Sequence, residues 1–505
     1  METAPTTSTP PPTASRPRVH FSPERNWMND PNGLVFHRGV WHLYFQHNPS
    51  GTEHATIGWG HATSTDLVHW QEHDVAIPAD DDGDVFSGSI VVDHGNTSGF
   101  GSADAPPLVA IYTRAAPHGQ AQALASSTDD GHTWTKYDGN PVLDRGTTDF
   151  RDPKVFRYDG PAGSYWVMVA AEAHDRQILL HRSDDLRTWE YLSSFGPSGP
   201  VGGVWECPDL FPLPLDGDDT DQRWVLLIST NPGGVAGGSG THYVVGDFDG
   251  RAFRPLEDRT PVSADADGAW PEQDRAALAA FDWLDHGRDC YAGVTFSGTA
   301  PPDRVLIAWM SNWDYARHVP TDGWLGTMTL ARRLSLVTVD GRPVLRQELV
   351  GPQLTVDAQH RDVDVRPGAA VRLGAAPLAG RLTLEVTLQP GATGFGVGVR
   401  QSADGRGGAL LRYDAADRSL ALARTDTAVP VHRTFSSTEH ATLRTVGTTI
   451  RLELWLDATS LEVAADDGLV TITDLVFSDP QDTELVVTAI GGPVRLDVTI
   501  ATPVH

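Results

Sequence analysis

Apolar and polar residues in this chain alternate with a period near two, in short runs broken by Gly, Pro, Asp and Asn. That pattern predicts half-buried strands joined by tight turns, with little helix. One strand-like segment, dense in β-branched and aromatic residues, recurs five times: "GVWHLYFQ" from Gly39, "LVAIYTRA" from Leu108, "SYWVMVAA" from Ser164, "RWVLLIST" from Arg223 and "RVLIAWMS" from Arg304. The starts lie 69, 56, 59 and 81 residues apart. In the early copies a polar turn follows, closed by an aromatic residue at Trp70, Trp134, Trp189 and, more weakly, Phe253. Repeats of roughly 60 residues, each worth four short strands, describe a five-bladed β-propeller over residues 18–340, because radial repetition protects sheet edges. Beyond a linker at 341–352, runs such as "RLTLEVTL" and "TTIRLELWLD" predict a C-terminal β-sandwich over 353–505. The expected fold is therefore all-β, a propeller followed by a sandwich.

Composition narrows the chemistry. With 38 Lys and Arg against 66 Asp and Glu, the formal charge is −28, which repels phosphate backbones and anionic bilayers, so neither nucleic acid nor membrane is an expected partner. No apolar run is long enough to span a bilayer. The opening "METAPTTSTPPPTASRPR" lacks a basic start and an apolar stretch, so residues 1–17 read as a disordered tail and the chain as cytoplasmic, or secreted if a leader has been removed. Cys207 and Cys290 are the only cysteines, too few for a disulfide framework, and no histidine has the spacing of a zinc motif. No metal and no cofactor is expected. The acidic run Asp80–Asp84 reads as a solvated turn.

Ahead of each recurring strand lies a shorter one: "NDPNGLVFH" from Asn29, "FSGSIVVD" from Phe86, "RDPKVFRY" from Arg151, "ECPDLFPL" from Glu206 and "DCYAGVTF" from Asp289. The first strand of a propeller blade lines the central channel, so matching points in different blades converge on the axis. Asp30, Asp152 and Glu206 are expected at such points. Crowded carboxylates raise one another's pKa and cost stability, which is the mark of a functional site. Two chemistries suit three carboxylates: binding a divalent cation, or cleaving a glycosidic bond with an acid and a nucleophile. The neighbours favour a sugar. Trp27, Trp59, Trp205 and Trp313 offer flat apolar faces, and Asn29, Gln46, Ser87 and Arg151 can hydrogen-bond hydroxyls.

Six segments in order, "WMNDPNG" (27–33), "YFQHNP" (44–49), "WGHATSTDLVHW" (59–70), "FSGS" (86–89), "FRDP" (150–153) and "WECPD" (205–209), resemble the signature of glycoside hydrolase family 32, which contains invertases, inulinases and levanases. The resemblance implies a retaining double displacement on β-fructofuranosides, with Asp30 as nucleophile, Glu206 as acid and then base, and Asp152 as transition-state stabiliser. Asn29, Gln46, Trp59, Phe86, Ser87, Arg151 and Trp313 are expected to contact the sugar, and Cys207, with no local Cys–His pairing, to be a packed, reduced thiol. The expected activity is exo-acting release of terminal fructose from sucrose, fructo-oligosaccharides, inulin or levan, by a monomer or homo-oligomer. Two alternatives stay open: an inverting arabinan- or xylan-type glycosidase on the same propeller, and an inactive fructan-binding protein.

Overall fold

The computed structural model describes residues 16–504 apart from 103, 162, 263–271, 301, 403, 405, 426–429 and 445. Five blades of antiparallel strands form the propeller, the fourth and fifth joined into one sheet by a parallel bridge between Leu215 and Leu336, and each blade begins with the strand nearest the axis: Asn26–His37, Asp84–Val92, Phe150–Gly160, Val204–Leu215 and Tyr291–Thr295. In the fourth blade the remaining strands are Asp218–Asn231, Gly240–Phe248 and Phe253–Pro255; the others are built alike. Among the described residues the one α-helix is Glu272–Ala279.

The repeat has a packing reason. Trp70, Trp134 and Trp189 each donate their indole N–H to the carbonyl three residues back, at 3.1, 3.1 and 2.9 Å, which folds the turn under the ring. Each ring then packs towards the preceding blade. Trp134 lies against the layer of Tyr44, Trp59 and Ile90 between blades one and two. Trp189 lies against Val91, Ile111 and Met168 between blades two and three, and Phe253 against Val169 and Trp205 between blades three and four. Trp70 joins Leu43, Phe296 and Trp309, the layer that closes blade five onto blade one. Backbone bonds reinforce that closure: Trp324–Leu325 pairs in parallel with Asn26–Trp27, and Ser297 exchanges bonds with Leu34 and Phe36.

Residues 342–350, read above as part of a linker, instead form the outer strand of the fifth blade, paired along its length with Ala331–Val339. The alternation of buried Leu345, Gln347 and Leu349 with exposed Arg346 and Glu348 is that of a one-sided strand, and the chain leaves the propeller only after Val350. Two six-stranded sheets follow, from Leu354 to Pro503, with Leu384, Phe395, Leu411, Leu454, Ile472 and Val498 in the core between them. Residues 1–15 of the expected tail lie outside the described residues. Arg16 is held by the carbonyls of Pro23 and Glu24, at 2.6 and 2.8 Å, and its guanidinium covers the Trp324 ring. The Asp80–Asp84 run is a turn in which Lys136 Nζ lies 2.7 Å from Asp80 Oδ2.

Candidate active site

Every inner strand breaks its ladder near its start with an extra residue. The interruptions fall between Met28 and Pro31, Val85 and Gly88, Arg151 and Lys154, Glu206 and Asp209, and Tyr291 and Val294. A bulge re-aims side chains that would otherwise alternate, so two consecutive residues per blade can serve the axis. In blades three to five the first bulged residue has left-handed backbone: φ is +63° at Asp152, +47° at Cys207 and +54° at Ala292. Such φ values are strained for residues with a Cβ and mark a site held by its surroundings.

This phase corrects the expected register. Asn29 and Cys207, not Asp30 and Glu206, are the residues that match Asp152; Asp30 falls one position later, and Glu206 matches Arg151 and Tyr291 one position earlier. The carboxylates therefore sit on two rungs. On one, Arg151 Nε donates to Glu206 Oε1 at 3.1 Å, and the Tyr291 hydroxyl donates to Glu206 Oε2. On the other, Cys207 Sγ is 3.6 Å from both Asp30 Oδ2 and Asp152 Oδ2, the Cys207 N–H donates to Asp152 Oδ2 at 2.9 Å, and Ser87 Oγ donates to Asp30 Oδ2 at 3.3 Å. Arg151 Nε, 4.0 Å from Asp152 Oδ2, ties the rungs together.

Burial first, then the charges of Glu206 and Asp152, push Asp30 up to about 7. Burial likewise raises Asp152 to about 6, against the opposing pull of Arg151. Asp30 and Asp152 thus keep protons into the range near neutrality, where isolated carboxyls have lost them. Burial and the same acids lift the Cys207 thiol well above its ordinary range, so it stays S–H and can donate to one carboxylate at a time. Asp30 Oδ1 is buried with no hydrogen-bond partner among the described residues, which leaves its lone pairs free.

Of the remaining expected sugar contacts, some face the site and some hold it. Gln46, buried, donates to Asn32 Oδ1 at 2.5 Å and to the Val85 carbonyl at 3.0 Å. Asn29 Oδ1 accepts the Trp27 indole N–H at 2.6 Å. Trp59 is fully buried, packed on Tyr44 and Tyr112, with its N–H on the Phe86 carbonyl at 3.0 Å; it fixes the segment that carries Phe86 and Ser87. Trp205 is also fully buried, stacked on Phe195, and offers no free face to a sugar. Trp313 and Phe86 are partly exposed. Trp313 stacks on Trp27 with centroids 5.9 Å apart, and His54 stands edge-on to Trp27, Phe86 and Trp313 at 5.8, 5.9 and 5.4 Å; Trp27, fully buried, backs a wall of His54, Phe86 and Trp313 and offers no free face to a sugar.

His54, Tyr291 and Thr113 are members that sequence reasoning missed. Thr113 Oγ1 accepts the Asp152 N–H at 2.8 Å. Tyr291 had a signal, since it stands in "DCYAGVTF" where Glu206 and Arg151 stand in their own strands. His54 lies in a loop and had none. Among the described residues no group of three His, Cys, Asp or Glu side chains is placed to hold a metal ion.

Comparison with known proteins gives two matching family models: "Glycosyl hydrolases family 32 N-terminal domain" over residues 20–348 and "Glycosyl hydrolases family 32 C terminal" over residues 352–502. The levanase of Bacillus subtilis (strain 168) is 40% identical over 497 residues, which covers 95% of this chain and 69% of the levanase. An extracellular exo-inulinase of Aspergillus niger is 38% identical over 520 residues, covering 96% of this chain and 94% of that enzyme. The crystal structure of an exo-inulinase from Aspergillus awamori superposes with a TM-score of 0.88 at 34% identity, over 98% of this chain and 99% of the other.

Proposed function

The chain belongs to glycosyl hydrolase family 32, and from that premise we propose that it is an exo-acting, retaining β-fructofuranosidase that releases terminal fructose from sucrose, fructo-oligosaccharides and fructans. The observation that carries the mechanism is the pairing of Asp30 and Asp152 on one buried thiol, with Glu206 linked to Asp152 through Arg151.

Asp30 is the nucleophile in this reading. Its unpartnered Oδ1 is free to attack the anomeric carbon, and its strand and the Ser87 hydroxyl fix its direction. Glu206 protonates the leaving oxygen and later takes a proton from water. Its two oxygens are already oriented by Arg151 and Tyr291, so the group needs little reorganisation as its charge changes. Asp152, anchored by the Cys207 and Thr113 contacts, accepts hydrogen bonds from ring hydroxyls that tighten as the ring gains oxocarbenium character. In this reading His54, Phe86 and Trp313, backed by the buried Trp27, bound the space beyond the fructosyl unit and favour a chain end over a chain middle. The extracellular naming of the Aspergillus relative favours the secreted alternative for this chain.

Glu206→Ala tests the acid. Loss on sucrose should reach at least about a hundredfold, while an aryl β-fructofuranoside, whose leaving group needs no proton, keeps most of its first-step rate. Azide should then accelerate the second step. Equal loss on both substrates would remove Glu206 from this role. The exo mode is read from an early inulin digest, where fructose should dominate; a ladder of di- and trisaccharides would show endo cleavage.

A further inference from the structure

The central channel has a second mouth. Beneath the carboxylates a water-sized space lies between Asn32, Ser87, Asp152, Cys207 and Lys154. Lys154 closes it: its ammonium is 3.0 Å from Asp209 Oδ2 and donates to the Thr295 carbonyl, and Thr295 N and Oγ1 also reach Asp209 Oδ2 at 2.7 Å each. On the far side of this plug opens a cavity of about 440 Å³, an order of magnitude larger than a water and the size of a small-molecule site.

Its walls are aromatic, with Phe156 and Trp224 tilted together at 5.5 Å, and its charges do not balance. Lys154 and Asp209 neutralise each other. Arg157, on the rim, covers the Trp166 ring at 5.1 Å and donates to the Ser164 carbonyl, facing exposed Asp159. Arg304 is left over. Its guanidinium lies 5.0 Å over the Phe211 ring and makes no hydrogen bond and no ion pair among the described residues. A guanidinium carries five donors in a planar fork that matches an oxyanion. Burial, offset only in part by Asp209, draws the Arg304 pKa downward, the sign of a cation short of counter-charge.

We propose that this second mouth is a binding site for a small anion, a carboxylate or phosphate on a compact body, with the oxyanion on Arg304 and the body against Trp224 and Phe156. It stands apart from the hydrolytic site, separated from it by the Lys154 plug.

Isothermal titration of the full chain with inorganic phosphate, fructose 6-phosphate, gluconate and neutral 1-kestose tests it, with Asp30→Asn as the host so that nothing is hydrolysed. Phosphate should bind at roughly 1 mM, and whichever anion carries the preferred head group and body at least about tenfold tighter. The two sugar anions separate phosphate from carboxylate. Arg304→Met should weaken binding by about tenfold or more, and Arg304→Lys by only a few-fold. Arg304→Met made in the wild-type background should melt and hydrolyse sucrose as the parent does. Absence of saturable anion binding up to tens of millimolar would overturn the proposal. So would equal binding to the Met variant, or displacement of the anion by 1-kestose, which would place it in the catalytic pocket.

Discussion

Asp30 holds its proton further up the pH scale than an ordinary aspartate, because its folded environment disfavours the charge. With the folded pKa raised from 3.8 to about 7, the native state binds more protons than the unfolded chain between those values. Stability from this group is therefore greatest at acid pH and falls as pH rises towards 7. Asp30→Asn removes both the proposed nucleophile and the burden. Turnover should drop at least about a thousandfold. Thermal unfolding at pH 8 should show the variant more stable than wild type, on the order of 2–4 kcal/mol, with the gap closing near pH 4. A variant that is less stable at pH 8, or that keeps a tenth of the activity, would contradict this account of Asp30. At this scale the sequence was legible where a residue type was tied to a motif: Asp30, Asp152, Glu206 and Arg151 all meet at the site. It was not legible for Trp205, because an indole beside Glu206, the proposed acid, reads the same whether it faces solvent or Phe195.

The inner strand with its bulge is the element that turns five similar sequences into one site. The repeat of the strands was readable from β-branched and aromatic density, but the bulge was not, since it depends on pairing with a distant strand. That is why Asp30 and Glu206 were each placed one residue out of phase with Asp152. The bulge of the second blade also explains the glycine that follows it. At Gly88 an added Cβ would stand 2.1 Å from the Ile111 carbonyl oxygen and 2.6 Å from Tyr112 Cα, both backbone atoms with no rotamer to change. Gly88→Ala must therefore displace either the bulge or the next strand. We expect a loss of about 2–3 kcal/mol in chemical denaturation, together with a raised KM for sucrose, because Phe86 and Ser87 move with the bulge. Wild-type stability would mean that the strand yields at no cost and that the close approach is not a constraint. The outer strand 342–350 was misread as a linker for a related reason: its partner, Ala331–Val339, lies in a hairpin whose turn, Asp340–Gly341, looks like any domain boundary.

Across the whole molecule the sandwich is joined to the propeller by buried charge. Arg332 of the fifth blade, fully buried, reaches Glu462 Oε2 at 2.8 Å and Asp285 Oδ2 at 3.0 Å. His20, ahead of the first blade, lies 2.9 Å from Asp457 Oδ2 and 2.9 Å from Glu462 Oε1. A second group binds Arg424 of the sandwich to Asp289 at 2.6 Å and to the Tyr315 hydroxyl at 2.7 Å, two residues beyond Trp313 in the active-site wall. Polar interfaces of this kind are invisible in sequence, where each residue is one charge among 104. Removing one partner of a buried pair strands the others, at a cost of about 3–5 kcal/mol. Glu462→Gln keeps the volume and removes the charge shared by Arg332 and His20, so it should lower stability by about that amount at pH 7. Its pH dependence carries the sharper test. Burial works against the His20 charge, yet hydrogen bonds to Asp457 and Glu462 outweigh it and lift the pKa from 6.5 to about 9. Stability from a raised histidine is fully present below pH 6.5 and disappears as pH rises through 9, a swing on the order of 3 kcal/mol. Wild-type melting temperature should thus fall between pH 7 and 9.5. The Glu462→Gln curve should be lower and flatter over that interval, because His20 has lost one of its two acids. Parallel curves would show that His20 does not carry its proton at this interface.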